Sequence, residues 1–351
     1  MASNRALGLA KRNKKDEFYT QLSDIENELR HYKSHFKNKV VFCNCDDPRV
    51  SNFFKYFVLN FEHLGLKKVI ATCYKNQNAD LFSQHKCEKA VYLTITPPLL
   101  KKLKLEHGGE LTVDSFKDIK ALPLEGNGDF RSLECIELLK QSDIVCTNPP
   151  FSLFREYVAQ LVKYNKKFLI IGNQNAITYK EFFPLLKDNN AWLGCSIHSG
   201  DREFGVPDDY PLQAANSRID SNGNKYIRIK GVRWFTNLDY KERHEPLILY
   251  KKYNPEEYPK YINYDAIEVA KTKDIPVDYD GLMGVPITFL DKYCPEQFQI
   301  LGISLEQAAP MATVAPNGIY QKGGPAFYLP DTEENHYKRL YCRIIIKRKW
   351  Q

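Results

Sequence analysis

Short apolar runs of strand length alternate with amphipathic helical stretches along the first half of the chain, and that alternation restricts the fold more than any other feature. Lys39-Val-Val-Phe-Cys43 ends in the polar Asn44-Cys-Asp-Asp-Pro48, after which Val50, Phe53, Phe54, Phe57, Val58 and Phe61 recur as one helical face. Gly65 supplies a helix stop and Lys68-Val-Ile-Ala-Thr-Cys73 a second strand, so the segment reads as a βαβ unit with parallel pairing. A helix over 22–36, with Leu22, Ile25, Leu29 and Tyr32 at helical spacing, precedes it. A helix at 133–140, a strand at 143–147, a helix at 153–164 and a strand at 167–172 continue the series, which predicts an α/β sheet.

The regular pattern is interrupted twice. Residues 76–125 carry a strand-like run at 90–95, a Pro97-Pro98 break and a hairpin signal at Gly108-Gly109, and read as an insertion on a sheet edge. The runs 191–197 and 225–235, joined by a long polar loop, read as an antiparallel hairpin at an edge. Beyond Leu238 tyrosine and proline become dense (Tyr250, Tyr253, Tyr258, Tyr261, Tyr264, Pro246, Pro255, Pro259) and the βα alternation fades. The expected division is therefore 1–240 and 241–351, in keeping with 351 residues at roughly 150 per domain.

Composition excludes several classes. With 43% hydrophobic and 26% charged residues the chain is globular, and apolar runs such as Phe168-Leu-Ile-Ile171 are far short of a bilayer span. Residues 1–18 are polar and basic without a secretory pattern, which points to the cytoplasm. Nine cysteines are an odd count, and Cys43-x-Cys45 has no second pair to complete a zinc set, so neither disulfides nor a metal is expected. The net charge of +7 is compatible with a polyanionic partner.

Chemistry concentrates in Asn148-Pro149-Pro150-Phe151, directly after the strand at 143–147. In an α/β sheet, substrates and cofactors meet at the carboxyl ends of strands. Two successive prolines lock the backbone, so a planar exocyclic amine can donate one hydrogen to the Asn148 side-chain oxygen and one to the Pro149 carbonyl. Phe151 would stack on the ring that bears the amine. The alternative is a rigid loop that opens a helix at Ser152.

In this position the tetrapeptide resembles motif IV of S-adenosylmethionine-dependent amino methyltransferases. Further stretches resemble the EcoRI-type DNA adenine-N6 methyltransferases: Val41-Phe-Cys-Asn-Cys-Asp-Asp-Pro48 with Ser51-Asn-Phe53 and Lys55-Tyr-Phe57, Thr147-Asn-Pro-Pro-Phe-Ser-Leu-Phe154, Gly231-Val-Arg-Trp-Phe-Thr-Asn237 and Gly284-Val-Pro-Ile-Thr-Phe-Leu-Asp-Lys-Tyr293. They occur in order and span most of the chain. The resemblance implies a Rossmann-like catalytic domain over 1–240, mostly parallel with an antiparallel edge, and a target-recognition region over 241–351. It also implies S-adenosylmethionine as cofactor, double-stranded DNA as partner, and a restriction-modification, phage or orphan modification enzyme beside which a cognate endonuclease would act separately.

Motif roles follow from the same resemblance. Phe18, Tyr19 and Thr20 match the motif that folds over the methionine end of the cofactor, and Asn44, Cys45 and Asp46 lie in the cofactor loop after the first strand. The usual glycines of that loop are missing, as is the ribose-binding acid after the second strand, where Thr72 or Asn76 would substitute. Asp129 and Phe130 match the pair that receives the adenine of the cofactor, although Asp129 also fits a turn residue after Gly126-Asn-Gly128. Phe53, Phe54, Phe57 and Phe61 read as core.

A duplex adenine must leave the base stack before its amine can react. Lys225, Arg228, Lys230 and Arg233 alternate with aromatic and β-branched residues, as would a strand with one basic face along a DNA cleft; a solvated edge strand is the alternative. Arg202 and Phe204, in Ile197-His-Ser-Gly-Asp-Arg-Glu-Phe204, read as a substrate-contacting loop, with Phe204 as base clamp or packing residue. His198 and Asp201 are not taken as an acid/base dyad, because the attacking amine needs no strong base. Lys11, Arg12, Lys14 and Lys15 in the arm fit phosphate contact, although a charged terminal arm is more often simply solvated, and Lys347-Arg-Lys349 carries the same two readings. Two other functions compete: an RNA or protein-glutamine methyltransferase of the same fold, and an inactive DNA-binding relative.

Overall fold

A computed structural model describes residues 19–45, 47–74, 90–116, 119–198, 201–206, 212, 217–316, 318–331 and 336–349. The chain forms two compact units, Met1–Phe182 with Leu193–Asp239, and Phe183–Trp192 with Tyr240–Gln351.

The first unit opens with β1 (Tyr19–Thr20) and α1 (Leu22–Leu29), which a 3-10 segment, Arg30–His35, extends. Then come β2 (Val40–Cys43), α2 (Asn52–Leu59), β3 (Lys68–Cys73), β4 (Val91–Ile95), α3 (Pro97–Glu106), β5 (Leu122–Pro123), α4 (Leu133–Gln141), β6 (Ile144–Thr147), α5 (Phe154–Lys163) and β7 (Lys167–Asn173). The series closes with β8 (Trp192–Leu193), β9 (Asp201–Val206), β10 (Ser217–Ile219), β11 (Lys225–Lys230) and β12 (Val232–Thr236). Ser51 and Ser132 start α2 and α4 by accepting from the backbone N–H of Phe54 and Cys135.

An eight-stranded sheet runs in the order β5-β4-β3-β2-β6-β7-β12-β8. Its centre, β3-β2-β6-β7, is parallel throughout. Val41, Phe42, Val69, Ile70, Leu169 and Ile170 are fully buried there, as expected of strands covered on both faces. Strand order reverses between β2 and β6, where the chain turns from building one side of the sheet to building the other. Such a switch point leaves a crevice at the carboxyl ends of the two strands, and both Asn44 and Asn148 follow those ends.

The α/β reading of the sequence holds, with local corrections. Pro97-Pro98 opens α3 rather than breaking the chain, because the first helical positions need no N–H donor. Gly108 and Gly109 end that helix, Gly109 donating to the Lys104 carbonyl, and form no hairpin. The antiparallel edge is present, β12 pairing with β7, but β4 and β5 make the opposite edge antiparallel too. The run 225–235 is two strands, not one. Gly231, at φ +68°, turns the chain out of β11 and into β12. β11 belongs to a separate antiparallel sheet in the order β1-β9-β11-β10.

The second unit contains α6 (Phe183–Lys187), β13 (Ile267–Glu268), β14 (Met283–Pro286), β15 (Phe298–Ile303), α7 (Ser304–Gln307), β16 (Tyr328–Pro330), β17 (Tyr337–Arg339) and β18 (Arg343–Arg348). Its main sheet runs β13-β14-β18-β15, with β16 and β17 paired apart. Ile344, Ile345 and Ile346 of β18 are fully buried. Beside them the carboxylate of Glu268 is held by Arg343 at 2.7 Å and accepts from the Tyr261 hydroxyl. Among the described residues no helix is long and apolar enough to cross a membrane.

Candidate active site at the switch point

Asn44 is fixed from two sides. Its backbone carbonyl accepts from the Thr147 hydroxyl at the end of β6, and its side-chain Oδ1 accepts from the Tyr157 hydroxyl on α5. All three residues are buried. The loop that begins at Asn44 is thereby tied to the strand and to the helix that flank the Asn148-Pro-Pro-Phe151 segment. Next to it Cys45 adopts φ +70°, the left-handed conformation that glycine takes most readily. The glycine-poor loop therefore reaches a glycine-like turn without a glycine.

Helix α5 holds a second loop as well. The Phe130 ring meets the Tyr157 ring edge-on at 5.1 Å, and Gln160 donates to the Phe130 carbonyl at 2.8 Å. Arg131 is bidentate on Asp129 and also bonds Glu156 at 2.7 Å. The Arg131 hydrogen bonds hold the Asp129 carboxyl below its ordinary range, so it is an acceptor at neutral pH. Gly128 approaches the end of β3 so closely that a Cβ there would stand 2.4 Å from the Cys73 carbonyl oxygen. The loop with Asp129 and Phe130 thus lies against the carboxyl end of the strand that bears Thr72.

Asn148 is 8% exposed, Pro149 is buried, and Pro150 and Phe151 are half-buried. Phe151 begins a single 3-10 turn, Phe151–Leu153, that leads into α5. Among the described residues nothing donates to the Pro149 carbonyl, whereas the Pro150 carbonyl accepts from Leu153 N–H. Behind the loop, the Phe154 ring sits over Gly172 of β7 and against Phe235 at 4.9 Å.

Thr20 is buried in β1, and its hydroxyl has no hydrogen-bond partner among the described residues. Its carbonyl accepts from Asn52 at the start of α2. Tyr19 is placed by its backbone, paired with Gly205. Thr72 is buried near the end of β3, and its hydroxyl has no hydrogen-bond partner among the described residues. Phe18, Asp46, Asn76 and the arm cations Lys11, Arg12, Lys14 and Lys15 lie outside the described residues. The donor set at hand (a carboxamide, buried hydroxyls, a carboxylate and an apolar ring) fits a polar zwitterionic nucleoside such as S-adenosylmethionine.

The predicted basic strand is corrected in detail. Arg228 and Lys230 are exposed on one face of β11, opposite Glu203 and Asp201 of β9. Lys225 has the strand parity of the buried Ile227 and Ile229, and Arg233 lies in the main sheet with only 4% exposure. Opposite charges therefore face Arg228 and Lys230 across the strands, and one continuous basic stripe does not form. Arg202 is half-buried on β9. Phe204 is 1% exposed, paired between Thr20 and Ile227, so packing rather than an open clamp describes it.

Two residues escaped the sequence reading. Tyr157 was visible only as an apolar-face helix residue. Glu28 is fully buried and accepts from Cys195 N–H at 2.8 Å, Ser196 N–H at 2.6 Å and the Tyr32 hydroxyl at 2.7 Å, anchoring the chain that leads to β9. Its signal was a charge on the same helical face as Ile25, Leu29 and Tyr32.

A family profile described as "Adenine-specific methyltransferase EcoRI" matches residues 6–349. The chain is 55% identical over 302 residues to "Type II methyltransferase M.EcoRI" of Escherichia coli, covering 86% of this chain and 89% of that protein. It is 37% identical over 344 residues to "Type II methyltransferase M.MpnI" of Mycoplasma pneumoniae, covering 97% of each. No solved structure matches it.

Proposed function

The chain belongs to the EcoRI family of adenine-specific methyltransferases, and from that membership we infer that it is a DNA adenine methyltransferase of restriction-modification type whose reaction centre is the crevice between β2 and β6. The acceptor is the N6 amine of an adenine turned out of duplex DNA. One observation carries the site: Asn148 and Pro149 follow β6 where Asn44 follows β2, and the Thr147–Asn44 hydrogen bond joins the two strand ends.

S-adenosylmethionine supplies the electrophilic methyl group when bound. Asn44, Cys45, Thr20, Thr72, Asp129 and Phe130 are the residues that would hold it, with Phe18, Tyr19 and Asp46 added from the sequence. Asn148 Oδ1 and the Pro149 carbonyl would accept the two amine hydrogens, which raises the electron density on the nitrogen and leaves it more available for attack. Phe151 stacks on the base and holds its plane. Methyl transfer would break the sulfonium–methyl bond as the nitrogen–methyl bond forms, leaving S-adenosylhomocysteine, and the surplus amine proton would pass to solvent, so no buried base is required. Catalysis is assigned to 1–240 and target recognition to 241–351, with the exposed Arg228 and Lys230 as the phosphate-facing cations of the first region.

The test is transfer of tritiated methyl from S-adenosylmethionine to unmethylated genomic DNA, beside total RNA and cell protein, with nucleoside analysis of the product. N6-methyladenine from DNA is the expected label. Label in RNA or on glutamine would replace the substrate.

A further inference from the structure

Asn44 has its carbonyl and its side-chain oxygen occupied from within the fold, by Thr147 and Tyr157. A hydroxyl that donates to the carboxamide oxygen fixes the flip of that carboxamide and presents its NH2 as a donor. The Tyr157 ring is itself braced by Phe130 and lies in a helix whose neighbouring Glu156 and Gln160 hold the Asp129–Phe130 loop. We propose that Tyr157 is a positioning residue for the cofactor, acting through Asn44: its hydroxyl sets the carboxamide so that the NH2 donates to an oxygen or nitrogen acceptor of S-adenosylmethionine. The proposal rests on the reading of Asn44 as a cofactor contact.

Tyr157→Phe removes the hydroxyl and keeps the ring that packs on Phe130. Losing one such hydrogen bond weakens binding about five- to ten-fold. The full-length protein is titrated calorimetrically with S-adenosylhomocysteine without DNA, so the readout does not depend on turnover. The expected result is weaker binding by Tyr157→Phe, a raised KM for S-adenosylmethionine, and a rate at saturating cofactor that falls much less than KM rises. In the Asn44→Ala background, Tyr157→Phe adds no further loss.

A loss in Asn44→Ala with none in Tyr157→Phe overturns the proposal and leaves the cofactor reading of Asn44 standing. Full binding in both variants overturns the cofactor reading as well. Additive losses show that Tyr157 acts through some other group, and also overturn the proposal. Asn44→Asp serves as a second probe, since its carboxylate still accepts from Tyr157 but has no NH2 to donate: weakened binding supports the donor role, and unchanged binding overturns it.

Discussion

A Cβ built on Gly172 would stand 2.4 Å from Cε2 of the Phe154 ring, so the ring fills the place a side chain on β7 would take. Phe154 begins α5, three residues after Phe151. Gly172→Ala therefore overpacks the support of the catalytic loop, at a cost of about 1–3 kcal/mol. Urea denaturation and methyl-transfer kinetics check this together: the expected outcome is a fall in turnover alongside the loss of stability. Turnover that stays intact while stability drops would separate the loop from Phe154.

Asn148→Ala removes the acceptor proposed for one amine hydrogen. Loss of a group that orients the reacting atoms typically costs about a hundred-fold or more in rate. S-adenosylhomocysteine affinity should change little, because Asn44, Asp129 and Phe130 are untouched. Full activity in Asn148→Ala would remove the residue from the mechanism.

Glu28 accepts two backbone N–H groups and a tyrosine hydroxyl with no exposure to solvent. Glu28→Ala leaves buried donors without their acceptor and opens a cavity, which should destabilise the first unit by about 3 kcal/mol or more. Glu28→Gln keeps one oxygen and should fall between. Denaturant midpoints rank the three proteins, and an Ala variant as stable as the parent would contradict the anchoring role.

Much of this arrangement was legible in the sequence because it is local. Strand length, helical periodicity and the position of Asn148-Pro-Pro-Phe151 after an apolar run all survive in the structure. What was not legible depends on partners far along the chain. Alternation continues from Lys225 through Phe235, and only the left-handed turn at Gly231 shows that the two halves belong to different sheets. The pairing of Arg228 with Glu203, and the burial of Arg233, follow from that split. Cys45 gave no glycine signal although its backbone adopts a glycine-like conformation. Tyr157 looked like any residue of a buried helical face, since its hydroxyl partner lies 113 residues earlier in the chain.

The Asp129–Arg131 pair gives a dependence on pH. The folded-state carboxyl lies below its ordinary value of 3.8, chiefly through the Arg131 hydrogen bond. Its contribution to stability is present above the unfolded-state value and is lost as pH falls through the folded-state value. Arg131→Gln should melt below the parent at neutral pH, and the gap should close on acidification through and below 3.8. Thermal midpoints across that range check it; a gap that widens in acid would contradict the sign.

Arg228 and Lys230 are exposed, whereas Arg233 is buried. If both exposed cations meet phosphates, Arg228→Gln with Lys230→Gln should lower the salt dependence of DNA binding by roughly two counterions. Arg233→Ala should instead lower the denaturation midpoint and leave the salt slope of the folded protein unchanged. Binding isotherms over a salt series distinguish the two classes, and an unchanged slope in the double variant would take β11 off the DNA.

Helix α5 carries Glu156, Tyr157 and Gln160 at spacings that only an unbroken helix keeps in step with Asp129–Phe130 and Asn44. One residue inserted between Phe154 and Glu156 would rotate everything after it by about 100° and detach all three at once. Exchanging a side chain in this stretch disturbs one contact, whereas adding or removing a residue disturbs the register of all of them. The spacing from Phe154 to Gln160 is therefore part of the site in its own right, alongside the side chains it carries.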